Sequence, residues 1–244
     1  MGGANGHSSN KGHSDNRRPI RVASGQSRAV GQGCGVAIMA KVSAPGRAKT
    51  RLVPPLNFEE AAVFNTAFLQ DMADNLLLAG RETKLAAYVA FGPPGSERFF
   101  RDALPDTVGL IDAWLPHFGD CLKFTIQEIF HRGHSSAVVL NSDSPTLPTL
   151  VLVETADVLA RPGDRAVFGP SSDGGYYLLG LKHAHRRMFE DISWSTERVA
   201  EQTLARAREI NLDGHGPILS GVRRRVVARC RTTVRPTAGS HGSV

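Results

Sequence analysis

The amino-acid sequence predicts an α/β protein with a mostly parallel sheet that helices cover on both faces. Short apolar runs alternate with longer segments of helical periodicity, as in repeated strand–helix units. The strand-like runs are almost wholly apolar, which is typical of strands buried on both faces. With 244 residues, of which 41% are hydrophobic, the chain is long enough to bury such a core without metals or disulfides.

The first half of the chain predicts three strand–helix pairs. Strands are expected over 36–42, 84–91 and 108–114, and helices over 57–80, 96–104 and 119–133. Asn57 can cap the first helix, and Gly80 is expected to end it. Apolar side chains four residues apart, at Phe64, Phe68, Met72 and Leu76, predict that one face of this helix packs in the core.

The second half continues the alternation. Strands are expected over 135–143, 165–171 and 176–181, and helices over 148–163 and 195–211. Pro148 is typical of a helix entry, and Ser195 is a candidate cap for the last helix.

The two ends of the chain differ in composition from its middle. The first 35 residues carry a net charge of +4 and residues 222–244 carry +6, so residues 36–221 carry −4 of the total of +6. We therefore expect a disordered basic tail over 1–34, a folded domain over 35–213 and an atypical Arg-rich segment, poorly ordered, over 214–244.

Composition also argues against several classes of protein. No apolar run is long enough for a membrane helix, and no secretory leader is recognisable. The three cysteines, Cys34, Cys121 and Cys230, have no zinc-site spacing and favour a reducing cytoplasm. Nonspecific nucleic-acid binding by the basic ends is disfavoured, because no aromatic residues interleave the arginines and the folded part is acidic.

Three strand ends carry residues suited to chemistry. The first, KVSAPGRAKTRL over 41–52, sets Lys41, Arg47, Lys49 and Arg51 around Gly46. A glycine turn lets backbone N–H groups approach an anion while the cations neutralise phosphate charge, although the same segment could be a solvated basic loop. It is not a Walker A loop, because GxxxxGK[ST] is absent.

The other two strand ends carry aspartates. Asp143 follows a buried strand in NSDSPTLP, where a carboxylate can hold Mg²⁺ or Mn²⁺ against a diphosphate or simply form a turn. Asp173 precedes Gly174 and Gly175 in GPSSDGGYYLLGL, where a plain hairpin or a ligand-facing loop would explain the glycines equally well.

The four segments AKVSAPGRAKTRL, LNSDSPTLP, GPSSDGGYYLLGL and FEDISWSTERVAEQTLARA, in this order, resemble a bacterial radical-SAM/selenodomain-associated glycosyltransferase-like family. That family is similar to phospholactate guanylyltransferases. The resemblance covers roughly 36–211, and it implies a Rossmann-like GT-A nucleotide-diphospho-sugar transferase fold for the domain over 35–213.

The resemblance also implies roles for individual residues. Lys41, Gly46, Lys49 and Arg51 would bind the nucleotide phosphates, and Asp143 would bind Mg²⁺ or Mn²⁺. Asp173 would be catalytic as a general base. Gly174, Trp194, Ser195 and Thr196 would lie on the acceptor side, although Ser195 could equally be only a helix cap.

We therefore expect a metal-dependent transferase that takes a nucleotide or nucleotide-sugar donor and a small-molecule acceptor. Glycosyl transfer is the leading hypothesis, and guanylyltransferase-like nucleotidyl transfer is the alternative. A degenerate nucleotide-binding member without catalysis is a third hypothesis, because the acidic motif that ends the family is missing after Asn211. The oligomeric state, a homodimer included, stays open.

Overall fold

The computed structural model describes Gly2 and residues 33–212. Its strands are β1 (Cys34–Lys41), β2 (Leu85–Gly92), β3 (Gly109–Asp112), β4 (Ser136–Asn141), β5 (Ala166–Pro170) and β6 (Tyr176–Leu181). Its helices are α1 (Phe58–Glu82), α2 (Glu97–Ala103), α3 (Phe118–His131), α4 (Thr149–Ala160) and α5 (Val199–Glu209). The basic tail and the Arg-rich segment expected at the two ends lie outside the described residues, apart from Gly2, Gly33 and Cys34.

The strands form one six-stranded sheet in the order β3-β2-β1-β4-β6-β5. The strands β3, β2, β1 and β4 run parallel, whereas β6 is antiparallel to both β4 and β5. The predicted α/β class with a mostly parallel sheet is therefore confirmed. The antiparallel strand arises because only a five-residue loop, 171–175, joins β5 to β6, and such a connection produces a hairpin.

Two apolar cores lie on the two faces of the sheet. Alternate residues of β1 point to opposite sides, so Val36 and Ile38 belong to one core and Ala37 to the other. The first core is completed by α1, α2 and α4, and the second by α3, α5 and the 3₁₀ turn Arg186–Phe189. The prediction of helices on both faces is confirmed.

The first helix begins as expected but ends later. The Asn57 side chain accepts from the Glu60 amide at 2.8 Å, and the Glu60 carboxylate accepts from the Asn57 amide at 2.9 Å, which closes a capping box. Gly80 does not end the helix, because regular hydrogen bonding continues to Glu82. The expected apolar stripe is buried only in part: Met72 and Leu76 are buried, whereas Phe64 is 46% exposed.

Because four strands are parallel, their carboxyl ends lie along one edge of the sheet, where a ligand site is expected. The carboxyl ends of β1 and β4 are neighbours there, and β6 begins beside the end of β4 because the two are antiparallel. Ligands of open α/β sheets bind outside this edge. No helix in the described part of the chain is long and apolar enough to cross a membrane.

Candidate functional site

A cleft of about 610 Å³ opens at the carboxyl ends of β1 and β4. It brings together eight of the ten residues expected at the site, although they lie far apart along the chain. These eight are Lys41, Lys49, Arg51, Asp143, Asp173, Trp194, Ser195 and Thr196. The other two, Gly46 and Gly174, are not among the lining residues and shape the backbone of the loops behind them.

One wall of the cleft is cationic and comes from the last residue of β1 and the loop that follows it. Lys41, Arg47, Lys49 and Arg51 all line the cleft. The loop is held by the Asn65 amide, which donates to the Ser43 hydroxyl at 2.8 Å. Four cations, one at the end of β1 and three on the loop, make this wall suited to a di- or triphosphate.

The sharp bends of this loop occur at residues with left-handed backbone. Gly46 has φ of +72°, and a side chain there would meet nothing within 4 Å. Glycine is therefore favoured at position 46 because of the positive φ, and not because a side chain would lack space. Lys49 has φ of +49°, which is unusual for a residue with a side chain, and a 3₁₀ turn over Thr50–Leu52 follows it.

Lys49 is the most constrained cation of the loop. Its ammonium group forms an ion pair with the Asp143 carboxylate, donates to the Ser142 carbonyl oxygen at 3.1 Å and lies 5.0 Å from the centroid of the Phe68 ring. The Lys49 side chain is only 12% exposed, whereas the Asp143 side chain is 66% exposed. The pair thus joins the end of β1 to the end of β4 and leaves Asp143 open to the cleft.

Asp143 alone is an incomplete protein site for a divalent cation. Among residues 33–212, no cluster of three or more His, Cys, Asp or Glu side chains is arranged to hold a metal. Mg²⁺ is often held by one or two carboxylates together with the phosphates of a substrate, and an exposed Asp143 beside a cationic wall suits that arrangement. The residues present therefore fit a metal that shares its ligands with a bound diphosphate.

Asp173 lies in the loop between β5 and β6 and is well solvated. Its carboxylate accepts from the Ser171 hydroxyl and, at 3.0 Å, from the Gly175 amide. The hydrogen bond from Ser171, followed by that from Gly175 and the charge of Arg51, holds the pKa of Asp173 below its usual range. Asp173 is therefore ionised at neutral pH, and its lowered pKa also makes it a weaker base.

Gly174 braces the hairpin against the segment before α5. Its φ is +83°, and a β-carbon there would lie 2.1 Å from the Glu197 carbonyl oxygen. The Gly174 carbonyl oxygen accepts from the Ala200 amide at 2.9 Å. Gly174 thus fixes the position of the loop that carries Thr196 and Glu197, and does not itself face the cleft.

The Trp194 side chain packs against the first turn of α3. A β-carbon at position 119 would lie 2.4 Å from the indole nitrogen of Trp194, so Gly119 makes room for the ring. The Phe118 ring packs edge-on against the indole with centroids 5.7 Å apart. Trp194 also lines a second cavity of about 460 Å³, whose carboxylates Asp120 and Asp191 are already paired with basic side chains.

Ser195 is not the cap of the last helix, so this expectation is wrong. Helix α5 begins at Val199 with Arg198 as the residue before it, and no side chain caps it. Ser195 has φ of +64°, and the Thr196 hydroxyl donates to the Ser193 carbonyl oxygen at 2.7 Å. The segment forms a tight turn at the cleft instead of a first helical turn, which frees Ser195 and Thr196 to line it.

Comparison with known proteins supports the fold. Residues 76–196 match the model of a family described as "Uncharacterized protein conserved in bacteria (DUF2064)". The crystal structure of a "putative nucleotide-diphospho-sugar transferase" from Desulfovibrio desulfuricans G20 superposes with a TM-score of 0.66. It is 24% identical and the match covers 74% of this chain and 77% of that one, a similarity that shows the fold.

Two further solved structures are similar at lower scores. The protein Rv0371c from Mycobacterium tuberculosis H37Rv is 13% identical with a TM-score of 0.44, over 71% of this chain and 82% of that one. A CMP:2-keto-3-deoxy-manno-octonic acid synthetase complexed with CTP is 12% identical with a TM-score of 0.44, over 83% of this chain and all of the other. No curated protein sequence matches the chain.

Several cleft residues carry no signal in the sequence that would assign them to a site. Glu197, Phe118, Leu122, Tyr176 and Tyr177 line the cleft without having been expected there. The two tyrosines begin a strand, and Phe118 and Leu122 belong to a helix, so packing alone accounts for their place in the pattern. The Tyr176 hydroxyl is buried without a hydrogen-bond partner, and burial raises the pKa of Tyr176.

Proposed function

We propose that this protein is a transferase that uses a nucleotide-activated donor, with glycosyl transfer from a nucleotide-diphospho-sugar as its reaction. The observation that carries the proposal is one cleft in which four cations face two solvated aspartates at the carboxyl edge of a parallel sheet. Cations of this kind bind phosphate oxygens, and carboxylates opposite them can bind a metal or an alcohol.

The donor phosphates would lie against Lys41, Lys49 and Arg51, the residues that the resemblance also implies. Lys49 is already held over Phe68 at 5.0 Å, so it loses little side-chain freedom when a phosphate oxygen binds. Asp143 would hold Mg²⁺ or Mn²⁺ together with the donor. When bound, this metal supplies positive charge that neutralises the diphosphate as it leaves.

Asp173 would orient the acceptor. Its ionised carboxylate accepts a hydrogen bond from the acceptor hydroxyl, and the oxygen of that hydroxyl then bonds to the anomeric carbon of the donor sugar. The bond from that carbon to the diphosphate breaks, and the nucleoside diphosphate leaves with the electron pair. Because the pKa of Asp173 is lowered, the proton passes to it late in the reaction, when the hydroxyl has become acidic.

Nucleotidyl transfer, as in a guanylyltransferase-like enzyme, is the second candidate. The observation that favours it is the number of cations: Lys41, Arg47, Lys49 and Arg51 are enough to neutralise a triphosphate. The products distinguish the two reactions, because nucleotidyl transfer releases pyrophosphate and glycosyl transfer releases a nucleoside diphosphate.

A thermal-shift screen tests the proposal. The full chain is melted with nucleoside triphosphates and nucleotide-diphospho-sugars, each with and without Mg²⁺ or Mn²⁺. A ligand at 100 times its dissociation constant adds about 2.7 kcal/mol of stability, which raises the melting temperature measurably. A metal-dependent rise with one donor supports the transferase, and Asp143→Asn should abolish its metal dependence. No rise with any donor would leave the non-catalytic alternative and refute the proposal.

A further inference from the structure

The cleft has a second wall whose chemistry differs from that of the cationic loop. Phe118, Leu122 and Trp194 form this surface, here named the aromatic wall. Phe118 and Leu122 belong to α3, which packs on one face of the sheet, whereas Lys49 lies over Phe68 of α1 on the other face. Lys49 and the aromatic wall therefore approach the cleft from opposite sides of the sheet edge, whereas the Lys41 ammonium lies over the ring of Trp114.

The aromatic wall continues outside the cleft as exposed apolar surface. Phe118 is 50% exposed, and the nearby Trp114 and Leu115 are 46% and 39% exposed. The Trp114 ring centroid lies 5.7 Å from the ammonium of Lys41, which lines the cleft, so this exposed apolar surface reaches the cleft. Exposed apolar side chains grouped in this way are typical of a surface that binds a ligand. Another exposed group at the start of α1, around Phe64, lines no part of the cleft.

Packing holds the Trp194 side of the wall in place. The Trp194 indole fits against α3 only because residue 119 is glycine, and the Phe118 ring supports it edge-on at 5.7 Å. Aromatic rings fixed in this way offer a large apolar area at little cost in side-chain entropy. A ligand that buries an apolar group here gains contact without first ordering the protein.

We propose that the acceptor is an alcohol that carries an apolar group, and that this group packs on the aromatic wall. The inference rests on the proposed transferase function, because it names the acceptor class of the same cleft. An apolar group cannot lie on Lys49 and Arg51 without removing water from charged groups, so the donor phosphates at these two residues and the acceptor's apolar part separate onto the two walls. The acceptor hydroxyl then points toward Asp173, which lines the same cleft.

Two matched glucosides test this inference. Octyl β-D-glucoside, kept below its micelle concentration, is an alcohol with an apolar chain, and methyl β-D-glucoside has the same polar head without it. The chain has only two tryptophans, Trp114 and Trp194, so intrinsic fluorescence of the full-length protein reports directly on this region. We expect a saturable blue shift with the octyl compound and none with the methyl compound at equal concentration.

A pair of variants locates the binding. Phe118→Ser should weaken octyl glucoside binding at least about fivefold, the loss expected when one ring's apolar contact is removed. Leu78→Ser is the matched control, because Leu78 is 45% exposed but lies outside the cleft. Equal binding of the octyl compound to Phe118→Ser and Leu78→Ser, or equal shifts with both glucosides, would overturn the inference.

Failure of the inference and failure of the proposed function are separable. Donors that raise the melting temperature while the octyl compound binds independently of Phe118 leave a transferase with a different acceptor. Binding of the octyl compound at Phe118 in a protein that no nucleotide stabilises refutes the transferase and with it the assignment of this wall to an acceptor. Displacement of the octyl compound by free nucleosides means that the wall holds the donor base, which also overturns the inference.

Discussion

Replacing Gly174 by alanine should destabilise the fold far more than the same change at Gly46. Both glycines have positive φ, +83° and +72°, so a β-carbon costs each of them about 1 kcal/mol of backbone strain. At Gly174 the β-carbon would also lie 2.1 Å from the Glu197 carbonyl oxygen, whereas at Gly46 it would meet nothing within 4 Å. The difference in stability between the two variants therefore measures the cost of the steric overlap between a β-carbon at position 174 and the Glu197 carbonyl oxygen.

The overlap at Gly174 cannot be relieved by rotating a side chain, because the atom it meets is backbone. Overpacking of this kind typically costs about 1–3 kcal/mol, so we expect Gly174→Ala to lose about 2–4 kcal/mol and Gly46→Ala about 1 kcal/mol. Urea unfolding followed by fluorescence measures both. With an m-value of about 2 kcal/mol/M, the midpoint should fall by about 1–2 M for Gly174→Ala and by about 0.5 M for Gly46→Ala. Equal losses would refute the reasoning, because they would mean that Gly174 does not brace the segment at Glu197.

Three further predictions concern single side chains. Ser171→Ala should raise the pKa of Asp173 toward its usual range, as followed by carboxyl-carbon NMR. Because the pKa of Asp173 is lower in the folded state than in the unfolded state, the stability that this hydrogen bond contributes is present above the unfolded-state pKa. That stability is lost as the pH falls through the folded-state pKa. Lys49→Met should weaken donor binding at least about tenfold in titration calorimetry. It should change the free energy of unfolding by less than about 1 kcal/mol, because the partner of Lys49, Asp143, is largely solvated. Unchanged donor affinity would show that Lys49 does not bind the donor phosphates. Tyr176→Phe should stabilise the protein by about 1 kcal/mol in urea unfolding, because it deletes a buried hydroxyl that has no partner; a loss of stability would show that the hydroxyl is satisfied.

The order and type of the elements were predictable because they depend on short-range pattern. A short apolar run bounded by polar residues, such as AVVL within 135–143, favours a buried strand, and β4 forms there. The cap at Asn57 could likewise be predicted from the residues that begin the helix, whereas the reciprocal bond from Glu60 was found only in the structure. The position of β6 between β4 and β5 could not, because strand order depends on contacts between segments and not on the pattern within one.

Two predictions of local structure were wrong because tertiary contacts outweigh the local preference of the segment. Ser195 has the chemistry of a helix cap, but the chain turns there with positive φ and the helix begins only at Val199. Phe64 has the spacing of a core residue, yet it is 46% exposed near the beginning of α1. Propensity and periodicity describe what a segment prefers, and the neighbouring segments decide whether that preference is met.

The composition of the candidate site was predictable, but its division into two walls was not. Phosphate-binding cations and strand-end aspartates have a recognisable chemistry, so the sequence suffices to nominate Lys41, Lys49, Arg51, Asp143 and Asp173. Aromatic residues have no such signature, because the same side chains usually form core, and Trp194 was expected on the acceptor side only through the family resemblance. Phe118 and Trp194 meet only because Gly119 lets the indole approach α3, a contact between residues 76 positions apart that no local pattern indicates.

The cations of the loop after β1 look alike in sequence and differ in what surrounds them. Lys49 has left-handed backbone, a side chain that is only 12% exposed, and contacts with a carboxylate, a carbonyl oxygen and an aromatic ring. These contacts fix the ammonium position in advance of ligand binding. A phosphate that binds Lys49 must therefore compete mainly with the solvated Asp143, and a metal on Asp143 would compensate for that competition. This coupling is the physical reason to expect that donor and metal bind together.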